Sequence, residues 1–161
     1  MVAKAKKRMK KNRLPVEIYQ CSIEQMPFPD HTFDVIISES VLSFVNKPSA
    51  LKEIFRVLKN GGRFIAIEFT ITQPLEAKIE KEIQQFYGFD SFSMKKDWIT
   101  LFQQAGFKNI RIQKNKEISS VPEFHYSEDI GPELYEIMDK HLDMNLKYEE
   151  ILNYRIYSCT K

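Results

Sequence analysis

Met26-Pro-Phe-Pro-Asp-His-Thr-Phe-Asp-Val-Ile-Ile-Ser-Glu39 carries the strongest structural signal of this chain. A second segment, Glu53-Ile-Phe-Arg-Val-Leu-Lys-Asn-Gly-Gly-Arg-Phe-Ile-Ala-Ile-Glu68, follows about fifteen residues later. Within the first segment, Phe33 to Ser38 is a nearly continuous apolar run, which is typical of a strand covered on both faces. The second segment predicts a helix, a glycine turn and another buried strand over Phe64 to Ile67.

The residues around these segments extend the same pattern. Pro48 starts the helix, because a proline in the first turn loses no hydrogen bond, and Asn60-Gly61-Gly62 ends it. Val16 to Gln20 alternates like a strand. Residues 16–69 therefore predict strand, loop, strand, helix and strand, the order of a parallel sheet.

The sequence on either side of residues 16–69 predicts further helices and strands. A basic helix over 2–12 comes first, and helices at 72–87, 93–105, 132–142 and 144–152, strands at 110–112 and 154–160, and a long polar loop at 115–131 follow residue 71. Asn145 is the candidate cap of the helix at 144–152.

Composition limits the class of protein. The 161 residues suit one domain, and 43% hydrophobic and 12% aromatic residues favour a folded chain. No apolar run approaches the roughly 20 residues that span a bilayer, so we expect no membrane span. Residues 1–13 carry seven basic residues and no acid, which indicates a solvated helix face. We do not expect nucleic acid as a partner, because no aromatic residue interleaves the lysines.

Cysteine and histidine usage narrows the chemistry. Cys21 and Cys159 both fall in strand-like segments and indicate buried, reduced thiols, so we expect a cytoplasmic protein. His31, His125 and His141 are scattered and lack the spacing of metal ligands, so we expect no metal site.

The ordered motifs resemble the class I S-adenosylmethionine-dependent methyltransferases of the small-molecule type, which are methyltransferase domain 11 proteins akin to the quinone-biosynthesis C-methyltransferases. The segment 21–30 resembles the adenine loop of that family, commonly Gly-Asp-Ala-Glu-x-Leu-Pro-Phe, and 33–38 resembles its fourth strand. The segment 53–62 resembles the helix and turn before the fifth strand, and 98–107 the helix before the sixth.

This resemblance implies an α/β, incomplete Rossmann-like methyltransferase fold with a mostly parallel sheet, an antiparallel C-terminal strand and helices on both faces. The family strand order is 3-2-1-4-5-7-6. Residues 1–161 would form a single truncated domain, in which 73–93 and 115–152 are lid or substrate-side elements. The implied activity transfers a methyl group from S-adenosylmethionine to a small-molecule acceptor.

The resemblance also implies site residues. Ser22 takes the place of an aspartate that accepts from the adenine amino group, and the backbone N–H of Ile23 faces the ring. Ser38 ends the fourth strand and Glu39 follows it, at the end of the strand that lies beside the methionine part of the cofactor. Glu39 and His125 are candidates for a general base. Local alternatives remain open: Ser22 as a turn residue, Glu39 as a solvated acid and His125 as an exposed loop residue.

The family's glycine-rich cofactor loop and its ribose-binding acid would precede Met1 and are absent from these residues. Losing two or three charge-assisted hydrogen bonds removes about 3–8 kcal/mol, so we expect weak or absent cofactor binding by this chain alone. The fourth strand would also show a bare edge, which favours a homodimer or a complementing chain. We predict that residues 16–20 collapse onto that edge or detach. The alternative function is a non-catalytic fragment or a subunit of a split methyltransferase.

Overall fold

The computed structural model describes residues 2–114 and 131–161. Its elements, in chain order, are α1 (Val2–Lys11), β1 (Phe33–Glu39), a 3-10 turn (Leu42–Phe44), α2 (Lys47–Val57), β2 (Leu58–Ile71), α3 (Ala77–Tyr87), α4 (Lys95–Gln104), β3 (Lys108–Lys114), α5 (Pro132–Lys147) and β4 (Leu152–Thr160).

The four strands form one sheet in the order β1-β2-β4-β3. β1 and β2 pair in parallel, whereas β4 runs antiparallel to β2 and to β3. This arrangement confirms the predicted order of the last four family strands and the antiparallel C-terminal strand. β2 lies inside the sheet, and its second half is almost entirely buried.

Helices cover both faces of the sheet, as predicted. On one face, α2 and α4 pack on alternate sheet residues; the core there includes Phe64, Tyr157 and Trp98. On the other face, α3 and α5 pack over the carboxyl end of β2, against Phe69 and Leu152. Successive strand residues point to opposite faces, so one strand contributes to both cores.

The boundaries of α2 follow from its terminal residues. The Asn46 side chain caps its start by accepting from the Ser49 N–H at 3.0 Å, and Pro48 occupies the first turn. The helix ends at Val57, earlier than the sequence predicts, because Leu58 becomes extended and pairs with Phe33. Gly61, near the start of β2, has a φ of 75°, and the pairing of β1 with β2 is irregular there.

The strand predicted at Val16 to Gln20 is wrong. These residues are irregular, and the Tyr19 ring packs edge-on against Phe28 at 5.0 Å between ring centroids. A strand forms only where a neighbour supplies hydrogen bonds, and no neighbour for this segment exists among residues 2–114 and 131–161. The segment does not pair with the edge of β1 in the described structure and lies outside the sheet.

The prediction that β1 is covered on both faces is also wrong. Val35 is 53% exposed and Ile37 is 66% exposed, because α3 and α5 do not reach the part of the sheet above them. β1 is the edge strand of the described sheet, so the bare edge expected from the sequence is confirmed.

Two further sequence-based interpretations change. Residues 132–147 form the single helix α5, because the Asn145 side chain contacts His141 one turn earlier and does not cap a new helix. Cys21 is exposed and outside any strand, whereas Cys159 is buried in β4. Most of the loop predicted at 115–131 lies outside the described residues. Across the part of the chain that is described, no helix has the length and apolar character needed to cross a bilayer.

Candidate functional site

The carboxyl ends of β1 and β2 lie side by side at one end of the sheet. Ser38 and Glu39 are the last residues of β1, and Ser40 follows them. Ser38 is 4% exposed, and within the described residues its buried hydroxyl has no hydrogen-bond partner. Glu39 is exposed. Ser40 has a positive φ of 53°, and its N–H donates to the Ile67 carbonyl at 2.8 Å, which turns the chain away from the sheet. Ligands of open parallel sheets collect at this edge.

Glu68 holds the turn that follows β1. Its side chain is fully buried, and its carboxylate accepts from the backbone N–H groups of Val41 at 3.1 Å and Leu42 at 3.0 Å. The Ser43 hydroxyl donates to its other oxygen at 3.0 Å. A strand residue therefore fixes a loop beside the site, with three donors directed at one carboxylate.

Burial and these donors act on Glu68 in opposite directions. Desolvation raises the pKa of the Glu68 carboxyl, and the hydrogen bonds from Leu42, Ser43 and Val41 offset part of that rise. Burial likewise lowers the pKa of the nearby Lys47 ammonium, which donates to the Ser91 carbonyl at 3.1 Å and hydroxyl at 2.7 Å. Glu68 and Lys47 are thus buried polar residues close to the site.

The aromatic ring of Tyr154 lies beside the carboxyl ends of β1 and β2. Burial raises the pKa of its hydroxyl to about 12, and Ser40, Glu39 and Tyr87 all lie near enough to influence that pKa. Its ring lies 4.0 Å from Phe69, centroid to centroid. The Tyr154 side chain combines a hydroxyl with an apolar ring, which suits contact with a small organic molecule.

The segment 21–30 forms a separate loop beside α2. The Ser22 hydroxyl accepts from the Glu24 N–H at 3.1 Å, and Ser22 and Gln25 form an isolated bridge, so Ser22 stabilises a local turn. Ile23 packs against the main core. The Glu24 carboxylate accepts from the Asn46 N–H at 3.2 Å and ties the loop to the start of α2.

An ion-pair network fixes the other end of this loop. Arg56 contacts Glu53 and Asp30, each at 2.6 Å, and Glu53 also accepts from the Met26 N–H at 2.7 Å. The Arg56 guanidinium lowers the pKa of the Glu53 carboxyl. The loop is therefore held against α2 at both ends.

The predicted site residues thus divide into groups. Ser38 and Glu39 lie together at the sheet edge, Ser22 and Ile23 lie on the loop beside α2, and His125 lies outside the described residues. The sequence reasoning missed Glu68 and Tyr154. An acid inside the apolar run of β2 was the available signal for Glu68, because an ionisable group in a buried strand needs partners.

Comparison with known proteins settles the family. The Methyltransferase domain family matches residues 1–66. The Bacillus subtilis (strain 168) protein described as uncharacterized methyltransferase YodH is 32% identical over 165 aligned residues, which cover all of this chain and 71% of that protein. The chain belongs to the S-adenosylmethionine-dependent methyltransferase family. This membership confirms the resemblance read from the motifs.

Other relatives match more locally. The ubiquinone/menaquinone biosynthesis C-methyltransferase UbiE of Pasteurella multocida (strain Pm70) is 43% identical over 76 residues, which are 47% of this chain and 27% of that relative. Among solved structures, Haemonchus contortus phosphoethanolamine N-methyltransferase 2 in complex with S-adenosyl-L-methionine superposes with a TM-score of 0.76 at 15% identity, covering 100% of this chain and 41% of that one. That likeness shows the Rossmann-like methyltransferase fold.

The cofactor expected of this family is S-adenosylmethionine, and the site of this methyltransferase fits part of it. The unpartnered Ser38 hydroxyl and the exposed Glu39 carboxylate suit a polar, positively charged group at the sheet edge. The loop at Ser22 and Ile23 suits the adenine end. The five glycines are Gly61, Gly62, Gly88, Gly106 and Gly131, so residues 1–161 contain no glycine-rich loop ahead of β1.

Proposed function

We propose that this methyltransferase chain takes part in methyl transfer from S-adenosylmethionine to a small-molecule acceptor at the carboxyl edge of β1 and β2. The observation that carries the proposal is the meeting of Ser38, Glu39, Ser40 and Tyr154 at that edge, on a fold shared with S-adenosylmethionine-dependent enzymes. When bound, the cofactor supplies an electrophilic methyl group on a sulfonium.

Different residues of this chain bind different parts of the cofactor and the acceptor. Ser38 and Glu39 hold the methionine side of the cofactor, and Ser22 with the Ile23 N–H holds the adenine side. Tyr154 and the neighbouring aromatic rings contact the acceptor and exclude water. Methyl transfer is mainly a matter of position, so a rigid edge held by Glu68 suits it.

Cofactor binding tests this proposal. We expect weak binding of S-adenosylhomocysteine by residues 1–161, because the donors that the family places ahead of β1 are not among them. Glu39→Gln and Ser38→Ala should each weaken that binding further, while Glu149→Gln, an exposed acid after α5, should leave it unchanged. Equilibrium dialysis with radiolabelled S-adenosylhomocysteine measures the differences. Equal binding by all four proteins would contradict the site.

The open edge of β1 supports a second candidate. A non-catalytic fragment or a subunit of a split methyltransferase would use that edge to pair with a chain that carries the glycine-rich loop. No binding of cofactor by this chain at millimolar concentration, together with binding restored by a complementing chain, would favour this alternative.

The domain and location predictions also stand as proposals. We propose that residues 1–161 act as one domain, with 73–93 and 115–152 on the acceptor side. A cytoplasmic location is supported by the free thiols of Cys21 and Cys159.

A further inference from the structure

A cavity of about 360 Å³ opens on one face of the sheet, across β2, β4 and β3. Successive residues of a strand point to opposite faces, and Phe64 and Tyr157 belong to the core beneath α2 and α4. Ile65 and Ile156, which line the cavity, therefore lie on the other face. Among the residues that the structure describes, the cavity shares none with the group at the carboxyl ends of β1 and β2, so it is a separate site.

Two arginines stand on either side of β4 on this face. Arg63 of β2 is paired with Thr160 of β4, and Arg111 of β3 is paired with Ser158 of β4. Because neighbouring strands lie about 4.8 Å apart, β2 and β3 are separated by roughly 10 Å. Both arginines line the cavity, and their long side chains can reach one ligand between them.

Neither arginine has a side-chain partner within residues 2–114 and 131–161. The ion pairs of this part of the chain lie elsewhere, and neither the Arg63 nor the Arg111 guanidinium donates a hydrogen bond there. No acid in these ranges lines the cavity. Two like charges at one concavity repel each other, and a bound anion attracts both of them.

The remaining walls combine hydrogen-bond donors with apolar surface. The Ser158 hydroxyl and the Gln113 amide supply further donors. Ile65 and Ile156, both partly buried, supply an apolar surface between the strands that carry the arginines. A guanidinium presents paired N–H groups that match two phosphate oxygens, so the arginines favour a phosphate group. The volume of the cavity lies within the range of small-molecule sites.

We propose that the cavity between Arg63 and Arg111 binds a small phosphate ester. The two arginines bind the phosphate group, and Ile65 and Ile156 contact the organic part. The site lies apart from the residues assigned to methyl transfer, so this inference goes beyond the proposed function and does not depend on it.

Titration of the full chain with phenyl phosphate, followed by two-dimensional ¹H–¹⁵N NMR, tests the site. We expect saturable shifts of the backbone amides of β2, β3 and β4 around Ile65, Gln113 and Ser158. Inorganic phosphate should shift the same amides but bind more weakly, because it has no apolar part. Absence of saturable shifts on these strands would overturn the site, and equal binding of the two compounds would overturn the ester.

Substitution of the arginines tests the assignment of the phosphate ligands. Arg63→Gln and Arg111→Gln should each weaken binding of phenyl phosphate about tenfold or more, as loss of a charge-assisted hydrogen bond implies. Arg8→Gln removes the same charge from an exposed position on α1 and is the matched control, which should stay within about twofold. All three arginines are exposed, so thermal unfolding of the variants should be nearly unchanged.

The control separates a specific site from general attraction of anions. Equal weakening by Arg8→Gln, or unaltered binding by both Arg63→Gln and Arg111→Gln, would overturn the proposal. Neither titration contains the cofactor, so a failure here leaves the proposed function standing, and a failure of cofactor binding leaves this site standing.

Discussion

At the scale of single residues, Glu68 fixes the turn beside the candidate site. Its carboxylate accepts from Val41, Leu42 and Ser43, and it is fully buried. These donors belong to the turn directly after Ser38, Glu39 and Ser40. A fully buried strand residue therefore fixes the turn that follows these site residues.

Removing this carboxylate should be costly. Glu68→Ala leaves two backbone N–H groups and a hydroxyl buried without their acceptor, so we expect a loss of about 2–5 kcal/mol in the free energy of unfolding. Urea denaturation measures it. Glu39→Ala, at the exposed end of β1, is the control and should change stability by less than about 0.5 kcal/mol. Similar losses for both variants would show that the Glu68 carboxylate does not stabilise the turn after β1.

Glu68 should also leave a signature in the pH dependence of stability. Its pKa in the folded chain is raised above 4.5, mainly by burial, so the folded state keeps a proton that the unfolded state has released. Stability attributable to this group therefore falls as pH rises from about 4.5 through the folded pKa, and then levels off.

Glu68→Gln does not titrate and isolates this effect. The free energy of unfolding of the unaltered chain minus that of Glu68→Gln should decrease between pH 4 and pH 7, as measured by urea titrations at each pH. A difference that rises with pH would mean that the three hydrogen bonds outweigh burial and lower the folded pKa.

At the scale of elements, the glycine pair in the first half of β2 sets the path of the central strand, where its pairing with β1 is irregular. Gly61 has a φ of 75° and open space where a Cβ would lie, whereas a Cβ at Gly62 would lie 2.8 Å from the Lys59 carbonyl oxygen and 3.0 Å from that of Asp34. The two adjacent glycines are thus required for different reasons, one for its backbone angle and the other for space.

Substitutions should separate these reasons. Gly62→Ala forces backbone atoms apart, and we expect a loss of about 1–3 kcal/mol in unfolding free energy. Gly61→Asn, which tolerates a positive φ, should cost about 1 kcal/mol or less. Thermal and urea unfolding of both variants provide the measurement, and a smaller loss for Gly62→Ala than for Gly61→Asn would contradict the close approach.

At the scale of the whole molecule, the open edge and the exposed face of β1 favour association with other chains. Val35 and Ile37 expose more than half of their surface, and β1 has one neighbour among the described strands. Exposed strand edges with apolar faces pair with other chains.

We therefore expect the purified chain to self-associate in a concentration-dependent manner, and Ile37→Lys to reduce that association without loss of stability, because Ile37 is 66% exposed. Size-exclusion chromatography with light scattering over a range of concentrations measures it. Ile137→Lys, a 54% exposed position on α5, is the matched control. A monomer at all concentrations, or equal effects of the two variants, would refute association through β1.

Much of the fold could be predicted because its signals are local. The apolar runs of β1 and β2, the proline in the first turn of α2 and the glycine after α3 each act within a few residues. The failures share one cause: Val16 to Gln20 has strand-like alternation but no neighbouring strand among the described residues, and Asn145 has the composition of a cap but a partner in the preceding turn. Local preference gives way where tertiary contacts are missing or stronger.

The candidate site shows the same division. Ser38 and Glu39 could be located because they end a recognisable strand in a known order of motifs. Glu68 could not, because its partners lie 25 or more residues away in sequence.

By itself, the sequence determined the methyltransferase family and the order of the last four strands, because ordered motifs and hydrophobic periodicity encode them directly. Only the tertiary structure decided which polar groups meet at the carboxyl ends of β1 and β2, that Glu68 fixes the turn beside them, and that residues 16–20 form no strand. Contacts between residues far apart in the chain depend on packing geometry, which no local pattern of residues specifies.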